Sequence, residues 1–419
     1  MRREHRFAVS CLGLSLLASG IACSQPKLAV CDITQRACQQ AVYYHDLSLR
    51  GDAYDPFDGL PPVTVITENE YRAQLEQAAA TAAQSGPSPW DEAMVLLHFT
   101  TNNSSASASA DGGTNNDGGT GNATIDDEAT HTYAFYDSTQ KNVTIISHPS
   151  QTGSEVEENA MITLAHELIH SLQDVELNLQ KSDFQTSDQY FAYDSIIEGD
   201  ARFYETLFAN DLLDLGYTQS NIIQAADSAL NDYYTSLGDF QSSMFAARAL
   251  VYPLGAKYEA TAYHSGGNAA VRHGYAKEPH QMVGFLVGPD GRVPTVTSGE
   301  VSPVPCVSSL PTSGDTTGAD QFGALLFYTF LRGWGVAHDV AFATAQTWTG
   351  DFLLVQASAD YATTAVAWRI EFSAPPPTVI VQALSATGEL KVSASGQALV
   401  ITVSDSATPL AWTADPACP

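Results

Sequence analysis

The chain reads as an α+β protein on three observations. A long apolar run at helical spacing occupies residues 160–172. Short segments rich in Val, Ile, Tyr and Phe precede it, at 63–66 and 133–146. From Phe352 onward, apolar and polar residues alternate, the period of half-buried strands.

The N-terminus sets the compartment expected for the chain. Arg2, Arg3 and Arg6 precede an apolar stretch, 7–22, that is too short and too lightly flanked for a membrane span and has the form of a secretory signal. Ser19-Gly20-Ile21-Ala22-Cys23 resembles a bacterial lipobox, which would make Cys23 the lipidated first residue of the mature chain. The alternative is ordinary signal cleavage nearby, with Cys23 a plain thiol. The expectation is an exported protein, either a lipoprotein held at the membrane in the periplasm or at the cell surface, or one freely secreted. Residues 23–57 then read as a tether and exposed lead-in.

The main domain is expected over 58–350. Residues 63–66 form a strand candidate and 68–83 a helix, with a short apolar segment at 93–99. Residues 101–124 are Asn, Ser, Gly, Ala and Asp with almost no large apolar side chain. Such a segment buries too little surface to offset the entropy of ordering and is expected to be a disordered insertion. Segments 133–136 and 142–146 read as a hairpin turning at Asp137-Ser138-Thr139.

The helix that follows carries the chemistry. Ser154-Glu155-Val156-Glu157 has the S-x-x-E form of a capping box, and Ala160, Met161, Ile162, Leu164, Ala165, Leu168, Ile169 and Leu172 cover more than one face, as in a buried helix. On it lies His166-Glu167-Leu168-Ile169-His170. Histidines four apart share one helical face and can reach one metal ion, and the glutamate beside the first can act as a base. The plainer alternative is a buried helix with two hydrogen-bonded histidines. A catalytic zinc needs a third protein ligand. Glu198 is the best candidate, on a second helix over 190–205, with Asp194 and Arg202 one turn either side and Asp200 beside it. Asp194, Asp200 and Glu205 stand next in line as ligands, and Asp194 and Asp200 are otherwise expected to support the site from behind. Gly199 costs about 1 kcal/mol inside a helix relative to Ala, which is tolerable if another backbone must come close there.

H-E-x-x-H followed by a glutamate on a downstream helix resembles the gluzincin metallopeptidases. Residues 166–174, HELIHSLQD, are similar to the thermolysin-type zinc helix, and that resemblance implies that Asp174 orients a histidine ligand. The third-ligand segment departs from the thermolysin pattern. Its Glu198-Gly199-Asp200-Ala201 looks more like a group of uncharacterised exported bacterial metallopeptidases, as do Asn69-Glu70-Tyr71-Arg72, Ala134-Phe135-Tyr136-Asp137 and Trp348-Thr349-Gly350-Asp351. The resemblance spans most of 58–375. It implies a zincin-like domain with a small upper-lobe sheet, the H-E-x-x-H helix and a mostly helical lower lobe. It also implies one catalytic Zn2+ on His166, His170 and Glu198, with Glu167 as general base on a peptide or protein substrate.

An oxyanion donor should also exist. Tyr252, Tyr258, Tyr263, His264, Arg272, His273 and Tyr275 cluster in one stretch, and Tyr263 and His264 are preferred because Gly266-Gly267 beside them could form a mobile lip. Further on, 218–236 and 241–249 have helical spacing, 288–318 reads as a long irregular loop, and 322–331 returns to helix. Strands are expected at 353–355, 365–370, 390–392 and 399–403, with a turn at Ser395-Gly396, and Pro375-Pro376-Pro377 either ends a strand or starts a short helix through Leu384. Residues 351–419 thus read as a small C-terminal α+β subdomain.

Cysteines and charge fit export. Of the six cysteines, Cys11 leaves with the signal and Cys23 would carry lipid, so Cys31, Cys38, Cys306 and Cys418 remain to form two disulfides. Three pairings are possible, and Cys31–Cys38 with Cys306–Cys418 is the simplest. Acidic residues outnumber basic ones 47 to 18, a net charge of −29. Such a surface repels nucleic acid and anionic headgroups, so no nucleic-acid partner is expected and membrane contact only through the lipid. Two other functions share these residues: a catalytically inactive or binding lipoprotein, which would not need Glu167, and a zinc amidase acting on a non-protein amide. Oligomeric state is not readable.

Overall fold

The computed structural model describes residues 28–413 apart from internal stretches, the longest being 101–124, 295–303 and 308–315. The expected signal, Cys23, Cys418 and the expected insertion lie outside the described residues. Helix α1 (Arg36–Arg50) is followed by strand β1 (Val63–Thr67), helix α2 (Glu68–Gln84), helix α3 (Pro89–Leu96) and the strands β2 (Ala134–Asp137) and β3 (Asn142–Ser147). Four long helices come next: α4 (Ser154–Leu177), α5 (Ser187–Leu213), α6 (Ile222–Ser236) and α7 (Ser243–Gly266). Then come α8 (Asn268–Gly274), α9 (Met282–Val287), β4 (Cys306–Val307), β5 (Thr316–Asp320), α10 (Gly323–Gly333) and α11 (His338–Ala345). The chain continues through β6 (Trp348–Ala357), β7 (Thr364–Phe372), α12 (Thr378–Ala386), β8 (Lys391–Ser395), β9 (Ala398–Ser404) and β10 (Trp412–Thr413). The α+β class holds.

Strands β1, β3 and β2 form one sheet in that order, with β1 parallel and β2 antiparallel to β3. A second sheet has the order β5-β6-β7-β9-β8 and is antiparallel throughout. One apolar core joins α1, α4, α5 and the first sheet through Val42, Tyr43, Val143, Ile145, Leu164, Leu168, Ile169 and Phe208. A larger one joins α3, α7, α9 and α10 to β6, β7 and β9 through Met94, Leu250, Phe285, Phe327, Trp348, Trp368 and Ile401.

Several expectations change. The lead-in is not exposed: α1 lies within it, and Val42 and Tyr43 are wholly buried in the core around α4. The capping box at Ser154 does not form, because Ser154 is already helical and Gly153 occupies the cap without a side chain to offer. The segment read as a loop to 318 contains most of β5, which pairs with β6. A boundary at 350/351 would cut β6, whose residues share a core with α7 and α10. Asp351, from the Trp348-Thr349-Gly350-Asp351 segment, accepts the N–H groups of Phe322 and Gly323 at 3.0 Å each and the indole N–H of Trp368 at 2.6 Å. It thereby satisfies orphan donors at the start of α10, a structural role.

Candidate metal centre

Helices α4 and α5 run antiparallel, so that His166 faces Glu205 and Glu198 while Gln173 faces Ile197 and Asp200. Their apolar faces set this register. Leu164, Leu168 and Ile169 of α4 and Phe203 and Phe208 of α5 are buried in one core, leaving the polar seam between them. Helix α7 crosses α5 closely enough that a Cβ on Gly199 would overlap the backbone of Gly255, and one on Gly255 would overlap Ser195. The glycine one residue after Glu198 therefore admits a second helix, and that helix is α7.

Three acceptor atoms converge in the seam. His166 Nε2 lies 3.0 Å from His170 Nε2 and 3.2 Å from Glu198 Oε2, and His170 Nε2 lies 3.3 Å from the same oxygen. All three residues are buried, and among the described residues this is the single group of His, Cys, Asp and Glu atoms close enough to share an ion. Ligands about 2.0–2.1 Å from a tetrahedral zinc stand about 3.3 Å apart, so the triangle has the right size.

The outer partners fix the tautomers. The Gln173 amide donates from Nε2 to Ile197 O (2.9 Å) and Asp200 Oδ2 (2.8 Å), so its Oε1 must be the atom 2.8 Å from His170 Nδ1. His170 therefore carries its proton on Nδ1 and turns the Nε2 lone pair inward. His166 Nδ1 lies 3.0 Å from Glu205 Oε2, with the same consequence. Arg202 in turn donates to the other Glu205 oxygen. Two lone pairs and a carboxylate oxygen aimed at one point need a cation between them.

A proton is the competitor. Burial alone lowers the His166 pKa, but Glu198 and Glu205 raise it to about 10. Burial opposes ionisation of Glu198, yet the two imidazoles hold it well below the usual carboxylate range. A metal ion here would displace protons on binding. Burial raises Glu167 above the ordinary carboxylate range, with His170 and His166 opposing. Glu167 also accepts the backbone N–H of Tyr136 at 2.7 Å, which pins its carboxylate beside the ligands at the rim of β2.

Other expected residues sit differently. Asp174 does not touch a histidine. It accepts from the Tyr136 hydroxyl, from Lys141 Nζ at 2.6 Å and from the N–H of Leu179 at 2.9 Å, locking the end of α4 to the first sheet. Its spacing from His170 is four residues, but the ring it was expected to hold turns to Gln173 at three. Asp200 supports Gln173 and not a ligand directly. Burial and the charge of Glu198 raise the Asp194 pKa, with Arg248 opposing.

Tyr263 and His264 do not reach the site. Tyr263 packs its ring on Phe203, and the exposed His264 bonds its Nδ1 with Gln219 O at 2.9 Å. They lie eleven and twelve residues beyond Tyr252 on α7, about 17 Å along a helix axis. Gly266 ends that helix, so no lip forms there. Tyr252 is the member of the cluster at the centre. Its ring stacks 6.1 Å from that of His166. Burial, then Glu198, Asp194 and Glu167, keep that hydroxyl protonated far above its ordinary pKa.

Sequence reasoning missed Gln173, Arg50 and the supporting role of Glu205. Glu205 had a readable signal, because it lies two turns beyond Glu198 on the same face. Gln173 had a weaker one, three residues from His170. Arg50 had none, being remote in sequence. The expected Cys31–Cys38 disulfide is present. Cys306 is also disulfide-bonded, and its expected partner Cys418 lies outside the described residues. Among the described residues no helix is long and apolar enough to cross a membrane. The chain matches no protein-family model, no curated protein and no solved structure.

Proposed function

We propose that this chain is an exported zinc-dependent metallopeptidase on a zincin-like fold, hydrolysing peptide bonds with Glu167 as general base. The observation that carries the reading is the convergence of His166 Nε2, His170 Nε2 and Glu198 Oε2 within 3.3 Å of one another. The lipid anchor at Cys23 belongs to the same proposal.

His166, His170 and Glu198 would hold the ion. When bound, zinc supplies Lewis-acid polarisation of the scissile carbonyl and brings the pKa of a water to about 7. Glu167, made more basic by burial, takes a proton from the attacking water and hands it to the leaving amine. The Tyr252 hydroxyl, always protonated at working pH, is the donor to the developing oxyanion. Among the described residues β2 pairs with a strand on one side only, and its other edge faces Glu167 through the Tyr136 N–H. An extended peptide can add to such an edge through its backbone, which favours a peptide over a small non-protein amide.

The test uses the chain without its first 23 residues. It should bind one zinc, cleave an unfolded protein and lose activity in chelator. Glu167→Gln should keep the zinc and lower turnover at least about 100-fold. Parent-like turnover in that variant would exclude the mechanism.

A further inference from the structure

We propose that Arg50, on the disulfide-clipped N-terminal helix, is a positioning residue for the metal, acting on His170 through Asp200 and Gln173. The inference rests on the metal reading of His166, His170 and Glu198. It goes beyond that reading by making the seating of α1 and the binding of the ion one linked equilibrium.

The chain of contacts is continuous and buried. Arg50 Nη1 donates to Asp200 Oδ2 at 2.8 Å, the same oxygen accepts from Gln173 Nε2 at 2.8 Å, and Gln173 Oε1 meets His170 Nδ1 at 2.8 Å. Arg50 is 1%, Asp200 0% and Gln173 0% exposed, so no water can substitute for a missing member without opening the core. A guanidinium so buried is costly unless its donors are matched. Arg50 is matched by Asp52 at 3.2 Å, by Glu176 at 3.1 Å and by the Tyr204 ring 5.1 Å away.

Both ends of α1 are held so that Arg50 arrives in register. At the start, Cys31 is bonded to Cys38 and its backbone N–H meets Met161 Sδ at 3.2 Å, on the metal-bearing helix α4. At the end, Asn268 donates to Leu49 O at 2.7 Å and Arg272 donates to Arg50 O at 2.8 Å, which satisfies terminal carbonyls of the helix. Asp200 Oδ2 is held in line with Gln173 only while Arg50 occupies its other side. Without that hold the amide keeps only its bond to Ile197 O, and the acceptor that keeps His170 Nε2 free for metal is held less firmly.

The experiment measures zinc dissociation constants by competition with a chelating dye, using the chain without its first 23 residues. Arg50→Met should weaken zinc binding roughly 10- to 100-fold, the usual effect of losing a partner behind a ligand. Gln173→Met should do the same, and the double variant should be no worse than Gln173→Met alone, because the two act in series. Arg50→Lys, which keeps a donor for Asp200, should recover part of the loss. Glu176→Gln keeps an acceptor for Arg50 Nη2, off the path to His170, and should leave zinc affinity at the parent level. In the zinc-loaded protein the His170 Nδ1–H proton should be visible by NMR and exchange faster in Arg50→Met. If Arg50→Met does not fold, Arg50→Lys and Gln173→Met carry the comparison. Parent-like affinity in Arg50→Met, or losses that simply add in the double variant, overturns the proposal. A parent protein that binds no zinc overturns the metal reading instead.

Discussion

Tyr252 and Glu167 illustrate what single residues contribute. Glu167 was legible, because its place between two histidines on a helix fixes its direction. Tyr252 was not, since its neighbours Tyr258, Tyr263 and His264 have the same chemistry and only the path of α7 separates them. Its ring stacks on that of His166, and burial, then the charges of Glu198, Asp194 and Glu167, keeps its hydroxyl protonated. Tyr252→Phe should therefore lower kcat by about 100- to 1,000-fold while zinc content stays at the parent level. Steady-state kinetics with metal analysis checks this, and an unchanged kcat would move the donor role to another group. Asp174 teaches the opposite lesson. Its position in the motif matched a known pattern, but Lys141 and Tyr136 from the neighbouring hairpin claim it.

At the scale of elements, the site depends on how closely α5 and α7 cross. Gly199 and Gly255 lie against each other there, with no room for a Cβ on either. The helix propensity cost of Gly199 is about 1 kcal/mol, and the close crossing offsets it by packing that any side chain would push apart. Gly199→Ala should destabilise the protein by about 1–3 kcal/mol or more, as overpacking does, despite alanine's better helix propensity. Urea unfolding measures it, and a stabilised variant would mean that the helices do not meet as described. The α4 and α5 helices were readable from apolar spacing and from the H-E-x-x-H and Glu198 positions. Helix α1 had a signal that was passed over, because Cys38, Val42, Tyr43 and Leu47 fall at helical spacing on one face. What hid it was the polar character of the other residues around that stripe. The terminal strands were legible through alternation, but β5 was hidden by Thr-Thr-Gly, a segment whose strand character comes from pairing with β6.

Acidic groups are buried beside the two largest apolar cores of the described residues, and this has a consequence for stability. Asp188 is fully buried with Oδ1 accepting the Met282 N–H at 3.1 Å and Oδ2 without a hydrogen-bond partner among the described residues. Burial, then Asp351, raises its pKa well above the ordinary value, and burial pushes Asp351 itself up to about 7. A carboxyl whose folded pKa is raised stabilises the fold at pH below about 4, and that contribution is lost as pH rises through the folded value. Asp188→Asn keeps the acceptor for Met282 and removes the titration. Its stability relative to the parent should therefore improve as pH rises from about 4 towards neutrality, as read from urea midpoints at each pH. A constant difference across that range would show that Asp188 is ionised throughout.

One metal ion is proposed to sit among His166, His170 and Glu198. X-ray data collected at the zinc edge from crystals grown with one equivalent of zinc test it most directly. A single strong anomalous peak is expected about 2.0–2.2 Å from His166 Nε2, His170 Nε2 and a Glu198 carboxylate oxygen. An empty map at that point, or a zinc held elsewhere while these three side chains bond only to one another, would contradict it.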